Sequence, residues 1–542
     1  MTTPWKQLIK GQIMLDEALQ LLVDPQGIVD LELLDLDVSR RFRSHFPKRY
    51  DFPPVIALVL WQNCYYLGSA TVLSVDKITE LKGRTRAKIE VIPIAEKSYR
   101  DWALIQEIDI SSVNPTDFIK LFEEQQKEED ISTFTERFLL KHKKNPTDQL
   151  NFIIAGAIHK RASDIHFEPT QKGLRIRYRI DGIMVPIVKP TREIDRQLVM
   201  ALKVKSNMNI AESRRPQDGR IQMKFASGKD AEIRLDMRVS TYPCMPGEKA
   251  VIRLLPQKNP FSSVKDLGFT ESALKIYKNW LKQSQGMIII TGPTGSGKSS
   301  TLYTSLQAVT KESVNVITIE DPVEYVLPEI TQGQVNKAAG MTFAEGLRSI
   351  LRQDPDIIMV GEIRDEETAE TAVRAALTGH LVFTTLHTND TISAIPRLKG
   401  LGLDSSLISD ALLGIVAQRL VRKVCTYCAE SYEPTPEDLQ YLGLTQTEAL
   451  SQQWKNPKGC PKCSNSGYLG RTGIIELLNV DPMVKQFIRE GKINEMQDYL
   501  NKINFDSFRL AAIEKVKTGV TTVEELRRVV PYNIMHPQAS DE

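Results

Sequence analysis

A chain of 542 residues is too long for a single hydrophobic core and predicts three or four domains. Its 41% hydrophobic and 25% charged residues are typical of a globular protein and exclude a low-complexity chain. Lys and Arg number 70 and Asp and Glu number 68, so the net charge of +2 gives no electrostatic footprint for nucleic acid. We therefore expect no nucleic-acid partner.

The amino-terminal segment lacks the pattern of an export signal. Asp16 and Glu17 interrupt the stretch where a signal peptide would need a continuous apolar core. The longest apolar runs, such as Val55–Trp61, are far shorter than the ~20 residues that span a bilayer. We expect a cytosolic protein that reaches a membrane only by docking on a partner there.

The chain is divided by changes in its residue pattern. Residues 1–120 mix helical patterns, as in Lys6–Leu22, with a strand-like stretch at Ile89–Ile94. Residues 121–148 are rich in Glu, Gln and Lys and predict a charged helical linker, although such charges also occur on any solvated helix face. The remaining predicted regions are an α+β domain at 149–257, a second linker at 258–285 and a C-terminal domain at 286–542.

Two segments of the α+β region alternate apolar residues with charged ones. Leu174–Ile180 and Ile233–Val239 follow this period of two, which predicts half-buried strands with a basic outer face. Strand alternation places Arg238 on the outer face. Outward arginines most often mean only that this face is solvated.

Arg253 differs because it lies in the apolar run Ala250–Leu255. An isolated charge there would be costly to bury without an anionic partner, and phosphate is such a partner. The other possibility is that both Arg238 and Arg253 pair with nearby acids such as Asp236 and Glu248.

A strand and a glycine-rich loop begin the C-terminal region. The strand Met287–Thr291 runs into Gly-x-x-x-x-Gly-Lys-Ser, and a helical stretch follows. The glycines let backbone N–H groups turn inward around a phosphate, and the helix presents its positive end. In this arrangement Lys298 neutralises the β- and γ-phosphates of ATP and the Ser299 hydroxyl binds magnesium, whereas a chance glycine loop would lack the flanking elements. The predicted nucleotide-binding residues are Gly292, Pro293, Thr294, Gly295, Ser296, Gly297, Lys298, Ser299 and Ser300.

Short apolar runs then alternate with helical stretches. This pattern is typical of an α/β fold, a parallel sheet buried on both faces by helices. The runs are Met287–Thr291, Val316–Ile319, Ile357–Val360 and Leu381–Thr385.

Acidic residues and histidines end these strands. Glu320, Asp321 and Glu324 follow the second run, and such crowding is costly unless the carboxylates bind metal or polarise water. We expect one of them to orient an attacking water and Glu362, after the third run, to reach magnesium through water. Two histidines, His380 and His387, flank the fourth run, and for each a satisfied buried ring and a functional one are equally consistent with the pattern.

Four of the six cysteines form two Cys-x-x-Cys pairs, Cys425/Cys428 and Cys460/Cys463. In a reducing compartment such pairs indicate metal ligands before disulfides. Four thiolates make a closed tetrahedral site suited to structural zinc. Two unrelated redox-active turns are the alternative, but neither pair lies in the βα context that redox motifs require.

Together these motifs resemble those of the secretion ATPase superfamily, and the chain is similar to its type IV pilus extension and type II secretion branch over about 147–535. The matching segments of the C-terminal domain are the Walker A loop Gly292–Ser299, the Asp box Ile319–Glu324, the Walker B segment Asp354–Asp365 and the His box at Thr378–His380 and Thr384–Thr388. Upstream, Ala162–Pro169 and Arg215–Arg220 resemble the second N-terminal domain of this branch, which also carries the tetracysteine insert.

The resemblance implies a RecA-like P-loop domain with a zinc-binding insert at 421–475, preceded by a PAS-like α+β domain and a further small N-terminal region. It implies ATP bound between these two domains in each subunit of a hexameric ring. Glu324 would activate water, Glu362 would aid magnesium and His387 would belong to the catalytic set. The arginines that reach the γ-phosphate would be Arg238 and Arg253.

The implied partner is an inner-membrane platform protein, turned by the ring so that pilin subunits are added, with membrane association only through partners. A type IV pilus and a secretion pseudopilus fit equally well. A nucleic-acid translocase and a pilus retraction ATPase are the rivals; near-neutral charge counts against the first, and the cysteine module and N-terminal region against the second. The Arg-Leu-Gly start with which some family members bind cyclic di-GMP is not found in residues 1–120, so we make no prediction of cyclic di-GMP binding.

Overall fold

The chain divides into two compact units, Met1–Val113 and Asn114–Glu542, which are described separately. The computed structural model describes residues 3–31, 33–47, 52–96, 98–99, 102, 131–141, 145–191, 197–227, 231–255, 259, 261–449, 452–503 and 505–536.

The first unit is a three-stranded sheet packed against helices. Strand β1 pairs with β2 in antiparallel fashion, and β2 pairs with β3 in parallel fashion. The predicted strand near Ile89 is found as β3, whereas the helical stretch Lys6–Leu22 forms parts of two helices with Gly11 between them at a φ of 69°. The elements are α1 (Pro4–Ile9), α2 (Leu15–Leu22), α3 (Leu36–Ser44), β1 (Val55–Trp61), β2 (Cys64–Ser69), α4 (Val75–Thr85) and β3 (Lys88–Pro93).

The second unit begins with an α+β arrangement built on a six-stranded antiparallel sheet of order β6-β5-β4-β9-β8-β7. The inner face of the sheet is covered by helices, and the Tyr178 hydroxyl donates to the Ile153 carbonyl at 2.6 Å to join β5 to α6. The elements are α5 (Ile131–Lys141), α6 (Pro146–His159), β4 (Ala162–Thr170), β5 (Gly173–Ile180), β6 (Ile183–Thr191), α7 (Gln197–Lys205), β7 (Gln217–Ser227), β8 (Ala231–Cys244) and β9 (Gly247–Leu255).

Both segments predicted as linkers contain packed helices. In 121–148, residues 121–130 and 142–144 lie outside the described residues, and helix α5 stacks its Phe138 ring on Phe152 at 3.7 Å between centroids. In 258–285, where residues 258 and 260 are not described, helix α8 (Glu271–Trp280) is fastened by the Trp280 indole N–H, which donates to Asn479 at 2.9 Å.

The C-terminal region contains a seven-stranded sheet of order β12-β11-β13-β14-β10-β15-β18. Neighbours from β12 to β15 are parallel, and β15 pairs with β18 in antiparallel fashion. The strands are β10 (Gly286–Thr291), β11 (Val316–Glu320), β12 (Thr331–Gln334), β13 (Ile357–Val360), β14 (Leu381–Leu386), β15 (Leu412–Val424), β16 (Ala429–Ser431), β17 (Lys455–Pro457) and β18 (Tyr468–Asn479).

Helices cover both faces of this sheet. Ile288 and Ile290 of β10 belong to one buried cluster and Ile289 to another, so alternate side chains of one strand supply two cores. The α/β fold predicted from the apolar runs is therefore confirmed. The helices are α9 (Lys298–Val309), α10 (Phe343–Ile350), α11 (Glu366–Leu377), α12 (Ala394–Lys399), α13 (Ser405–Ala411), α14 (Pro436–Leu442), α15 (Gln446–Ala449), α16 (Pro482–Glu490), α17 (Ile493–Lys502), α18 (Phe508–Lys517), α19 (Val523–Val529) and α20 (Tyr532–Met535).

Within the described part of the chain, no helix combines the length and the hydropathy needed to cross a bilayer.

Candidate nucleotide site and tetracysteine cluster

The glycine-rich loop joins β10 to α9 and is held from below by Gln418 of β15. The Gln418 amide donates to the Ser296 carbonyl at 2.6 Å and accepts from the Thr301 hydroxyl at 2.8 Å. Gly292 has a φ of 142°, and a Cβ there would lie 2.4 Å from the Gln418 carbonyl oxygen, so no other residue fits. Gly297 caps α9 with a φ of 93°, and this turn directs the helix N-terminus towards the loop.

Lys298 begins α9 and folds back over the loop. Its ammonium donates to the Gly292 carbonyl at 2.7 Å and to the Pro293 carbonyl at 3.4 Å. Burial lowers the pKa of Lys298 below its ordinary value, and the charge of Glu362 opposes this shift. An anion in the loop would offset the cost of burying the charged ammonium. Lys298 is therefore placed to bind a phosphate group.

Two basic side chains contact the carboxylate of the predicted Walker B acid. The Glu362 carboxylate accepts from Arg364 at 2.5 Å and lies 3.2 Å from the His387 ring nitrogen Nε2. Burial alone would raise the pKa of Glu362, but the hydrogen bonds from Arg364 and His387 outweigh it, and the pKa lies below its usual value. The structure distinguishes the two histidines, because the His380 ring instead contacts the Ala375 carbonyl at 3.0 Å.

The three carboxylates of the Asp box have different surroundings. Glu320 is 5% exposed and accepts hydrogen bonds from neighbouring side chains, so its charge is already satisfied. Asp321 is exposed. Glu324 is intermediate, with 35% of its side chain accessible, and it lines the same cavity as the glycine-rich loop. Asp321 lines this cavity too, so both carboxylates combine access with proximity to the phosphate loop, and Glu324 is the one that lies 3.9 Å from Arg238 of the α+β region.

The two arginines of the α+β region face this site from the opposite side. Arg238 donates to the Val323 carbonyl at 3.1 Å and lies 3.9 Å from the Glu324 carboxylate. Arg253 pairs with Asp164 at 3.2 Å. The cost of burying an unpaired charge does not arise for Arg253, because strand alternation turns it outward and leaves 64% of its side chain exposed.

The acids considered as partners of these arginines are engaged elsewhere. Asp236 pairs with Arg220, and Glu248 pairs with Lys203 at 2.6 Å. Neither Arg238 nor Arg253 is thus paired with them, although Arg253 does have an acidic partner.

A cavity of about 1050 Å³ lies between the α+β region and the glycine-rich loop. It brings together most of the predicted residues from both parts of the second unit. Gly292 and Arg238 are not among the lining residues, but Arg238 lies 3.9 Å from Glu324, which is. The predicted residues that line the cavity are Pro293, Thr294, Gly295, Ser296, Gly297, Lys298, Ser299, Ser300, Arg253, Glu324, Glu362 and His387.

The four predicted cysteine ligands lie together, with their sulfur atoms all within 4.8 Å of one another. The Sγ–Sγ distance is 3.9 Å for Cys425 and Cys460, 3.8 Å for Cys428 and Cys463, and 3.7 Å for Cys460 and Cys463. A tetrahedral site with Zn–S bonds of ~2.3 Å requires sulfur separations of ~3.8 Å. The cluster therefore fits zinc, with all four corners supplied by the protein.

We expect purified protein to contain one zinc per chain and Cys428→Ser to lose it. Because zinc–thiolate binding contributes on the order of 10 kcal/mol to folding of such modules, the insert should become protease-sensitive while ATP binding persists. Elemental analysis with limited proteolysis measures both effects, and Cys244→Ser is the control because Cys244 lies outside the cluster. Zinc-free protein with reduced thiols would contradict the site.

Sequence reasoning missed several residues of the site. Gln418 carried a signal, since a lone amide inside an apolar strand must be hydrogen-bonded when buried. Arg364 lies in the Walker B segment and Asp164 in the segment Ala162–Pro169, but neither residue had a predicted role. Asp181 carried no local signal, because its partner is distant: it accepts from the Gly470 N–H at 2.9 Å and so joins the β5–β6 turn to β18.

A parallel sheet with a glycine-rich loop between β10 and α9, facing acids at neighbouring strand ends, defines the P-loop class of nucleotide-binding proteins. Residues 141–528 match the family described as type II/IV secretion system protein, and the chain belongs to this family. The recognition of the secretion ATPase superfamily from the motifs is thereby confirmed.

Curated relatives support this membership. The type II secretion system ATPase E of Vibrio cholerae is 37% identical over 522 residues, which cover 94% of this chain and 99% of that protein. The type IV pilus assembly ATPase PilB of Thermus thermophilus is 38% identical over 495 residues, 91% of this chain but 54% of that protein. The Legionella pneumophila ATPase DotB structure covers 70% of this chain and 94% of its own, with a TM-score of 0.53 and 21% identity, which supports the fold alone.

Proposed function

We propose that this chain is a magnesium-dependent ATP hydrolase that works as a hexameric ring and drives assembly of a type IV pilus or a type II secretion pseudopilus. The observation that carries the proposal is the shared cavity, in which Lys298, Glu324 and Glu362 face Arg253 across the gap between two domains. The names of the relatives, secretion and pilus assembly ATPases, support the same activity.

The proposed division of labour follows the predicted domains. Residues 1–120 dock a partner, 149–257 supply arginines to the nucleotide, and 286–542 bind and hydrolyse it. The linkers at 121–148 and 258–285 join these parts, and the insert at 421–475 holds zinc through Cys425, Cys428, Cys460 and Cys463.

Binding of ATP is assigned to the loop Gly292–Ser300, whose backbone N–H groups and helix N-terminus face the phosphates. The Lys298 ammonium exchanges its loop carbonyls for β- and γ-phosphate oxygens. The oxygen donors of Ser299 and Glu362 line the same cavity and are the type that magnesium prefers. Glu362, whose carboxylate is held by His387, would take the ion through water, and magnesium when bound would neutralise charge on the phosphates.

Hydrolysis is assigned to Glu324 and the two arginines. The Glu324 carboxylate accepts a proton from the attacking water as the new P–O bond forms and the bond to ADP breaks. Arg253, released from Asp164, and Arg238, already beside Glu324, neutralise charge on the transferring phosphoryl group.

The proposed ring couples the nucleotide sites of its subunits and works on a membrane partner. A head-to-tail interface that closes makes a ring, and each subunit's nucleotide state can then bias its neighbour. The proposed place of work is the cytoplasmic face of the inner membrane, where an integral platform protein is docked and turned.

The platform partner can be tested against the nucleic-acid rival. The cytoplasmic part of the cognate platform protein is expected to raise the ATPase rate about fivefold or more, because partner and nucleotide sites are coupled. Single-stranded DNA is expected to leave the rate unchanged. Lys298→Ala protein, assayed in parallel, reports contaminating ATPases. Stimulation by DNA without stimulation by the platform protein would contradict the proposal.

A further inference from the structure

The hydroxyl of Tyr303 joins the phosphate-binding helix to the loop that carries Glu324. Tyr303 lies on α9, just over one turn after Ser299, and is 1% exposed. Its hydroxyl donates to the Glu320 carboxylate and accepts the Glu324 backbone N–H at 3.2 Å. One oxygen atom therefore contacts both ends of the segment from Glu320 to Glu324.

The rest of this loop is fastened to the same carboxylate. Glu320 also accepts from the Thr318 hydroxyl at 2.6 Å and from the Gln332 amide at 3.0 Å. The Gln332 side-chain oxygen in turn accepts the Leu327 N–H at 2.7 Å. Glu324 is thus held on a short span between two anchors, Tyr303 on one side and Gln332 on the other.

We propose that Tyr303 is a positioning residue that fixes the backbone at Glu324 and so sets where its carboxylate meets the attacking water. The inference rests on the proposed role of Glu324 as the base. Without the hydroxyl, a buried carboxylate loses a donor and the Glu324 N–H loses its acceptor, so the loop must move to find water or other partners. Because α9 also carries Lys298, the phosphate-binding helix and the placement of the base are physically joined.

The test is Tyr303→Phe, which removes the hydroxyl and keeps the ring. Displacement of a catalytic group by about 1 Å can cost ~10²-fold, so we expect kcat to fall by about ten- to a hundredfold while ATP affinity stays near that of the parent chain. Single-turnover kinetics and nucleotide binding separate these two quantities.

Two neighbouring tyrosines provide matched controls. The Tyr325 ring packs against Tyr303 at 4.6 Å between centroids, and its hydroxyl has no hydrogen-bond partner among the described residues. The Tyr277 hydroxyl bonds to Ser305 on the same helix at 2.5 Å, away from the Asp box. Tyr325→Phe and Tyr277→Phe are expected to keep the parent kcat, and an equal loss in either would assign the Tyr303→Phe effect to packing.

The remaining outcomes also decide the question. Parent-like kcat in Tyr303→Phe, beside an inactive Glu324→Gln, overturns the positioning role alone. Parent-like turnover by Glu324→Gln removes the base and the positioning role with it. In the Glu324→Gln background, Tyr303→Phe should cost nothing further, and an added loss would mean that the hydroxyl acts elsewhere. Should Tyr303→Phe fail to fold, Gln332→Leu releases the other anchor and must lower kcat at unchanged affinity, or the inference fails.

Discussion

Glu324→Gln is expected to bind ATP as tightly as the parent chain and to hydrolyse it at least about 10²-fold more slowly, because the amide keeps the size of the side chain but cannot accept a proton. Its carboxylate is accessible, lines the cavity and lies 3.9 Å from Arg238, whereas Glu320 is buried and hydrogen-bonded. Binding of labelled ATP and release of phosphate measure the two effects separately.

Glu329→Gln is the matched control, since Glu329 lies on the same connection between β11 and β12 but is exposed. It should hydrolyse ATP normally. Lys298→Ala gives the opposite signature to Glu324→Gln, because loss of the ammonium weakens binding as well as hydrolysis. Turnover by Glu324→Gln within about tenfold of the parent chain would remove it from the base role.

Arg253→Ala is expected to lower the ATPase rate by about 10³-fold or more, and Arg238→Ala to act in the same direction, because an arginine at the transferring phosphoryl contributes ~10³–10⁵. Arg253 can move to the nucleotide, since 64% of its side chain is exposed and its hold on Asp164 is a single bond at 3.2 Å. Steady-state rates measured at saturating and at sub-saturating ATP concentrations distinguish a loss of kcat from a loss of affinity.

Arg220→Ala is the control, because Arg220 lies on the same sheet with 62% of its side chain exposed and pairs with Asp236 away from the cavity. The parent rate per chain should also rise with protein concentration if the ring is the active unit. Full activity of the monomer, or normal rates in both variants, would leave these arginines with a structural role.

Elements that depend on local pattern could be predicted from the sequence. The runs at Val316–Ile319 and Ile357–Val360 became parallel strands because short apolar segments alternating with helices have few other solutions. The glycine-rich loop could be placed for a similar reason, since its chemistry is encoded in consecutive residues.

Features that depend on distant contacts could not be predicted. The apolar neighbours of Arg253 left its burial and its partner open, and the structure shows that the pleat of β9 puts Ile252 in the core and Arg253 outside, beside Asp164. The identity of the satisfied acid in the Asp box required knowing that Tyr303 and Gln332, at sequence distances of 17 and 12, point at Glu320. The helical pattern of Lys6–Leu22 likewise did not predict that the helix ends before Gly11, whose φ of 69° is incompatible with a continuous helix.

Strand β15 reaches from the floor of the nucleotide site to the cysteine cluster. Gln418 supports the phosphate loop, and Cys425 directly follows the end of the strand. At 3.3 Å per residue, Cys425 lies ~23 Å along the chain from Gln418. Pairing with β18 runs along this length, with an irregularity between Arg422 and Val424. The two strands therefore form one antiparallel ribbon between the phosphate loop and the cysteine cluster. The support of the phosphate loop and the cysteine cluster therefore lie on one hydrogen-bonded ribbon, and a change at either end reaches the other through consecutive backbone pairs.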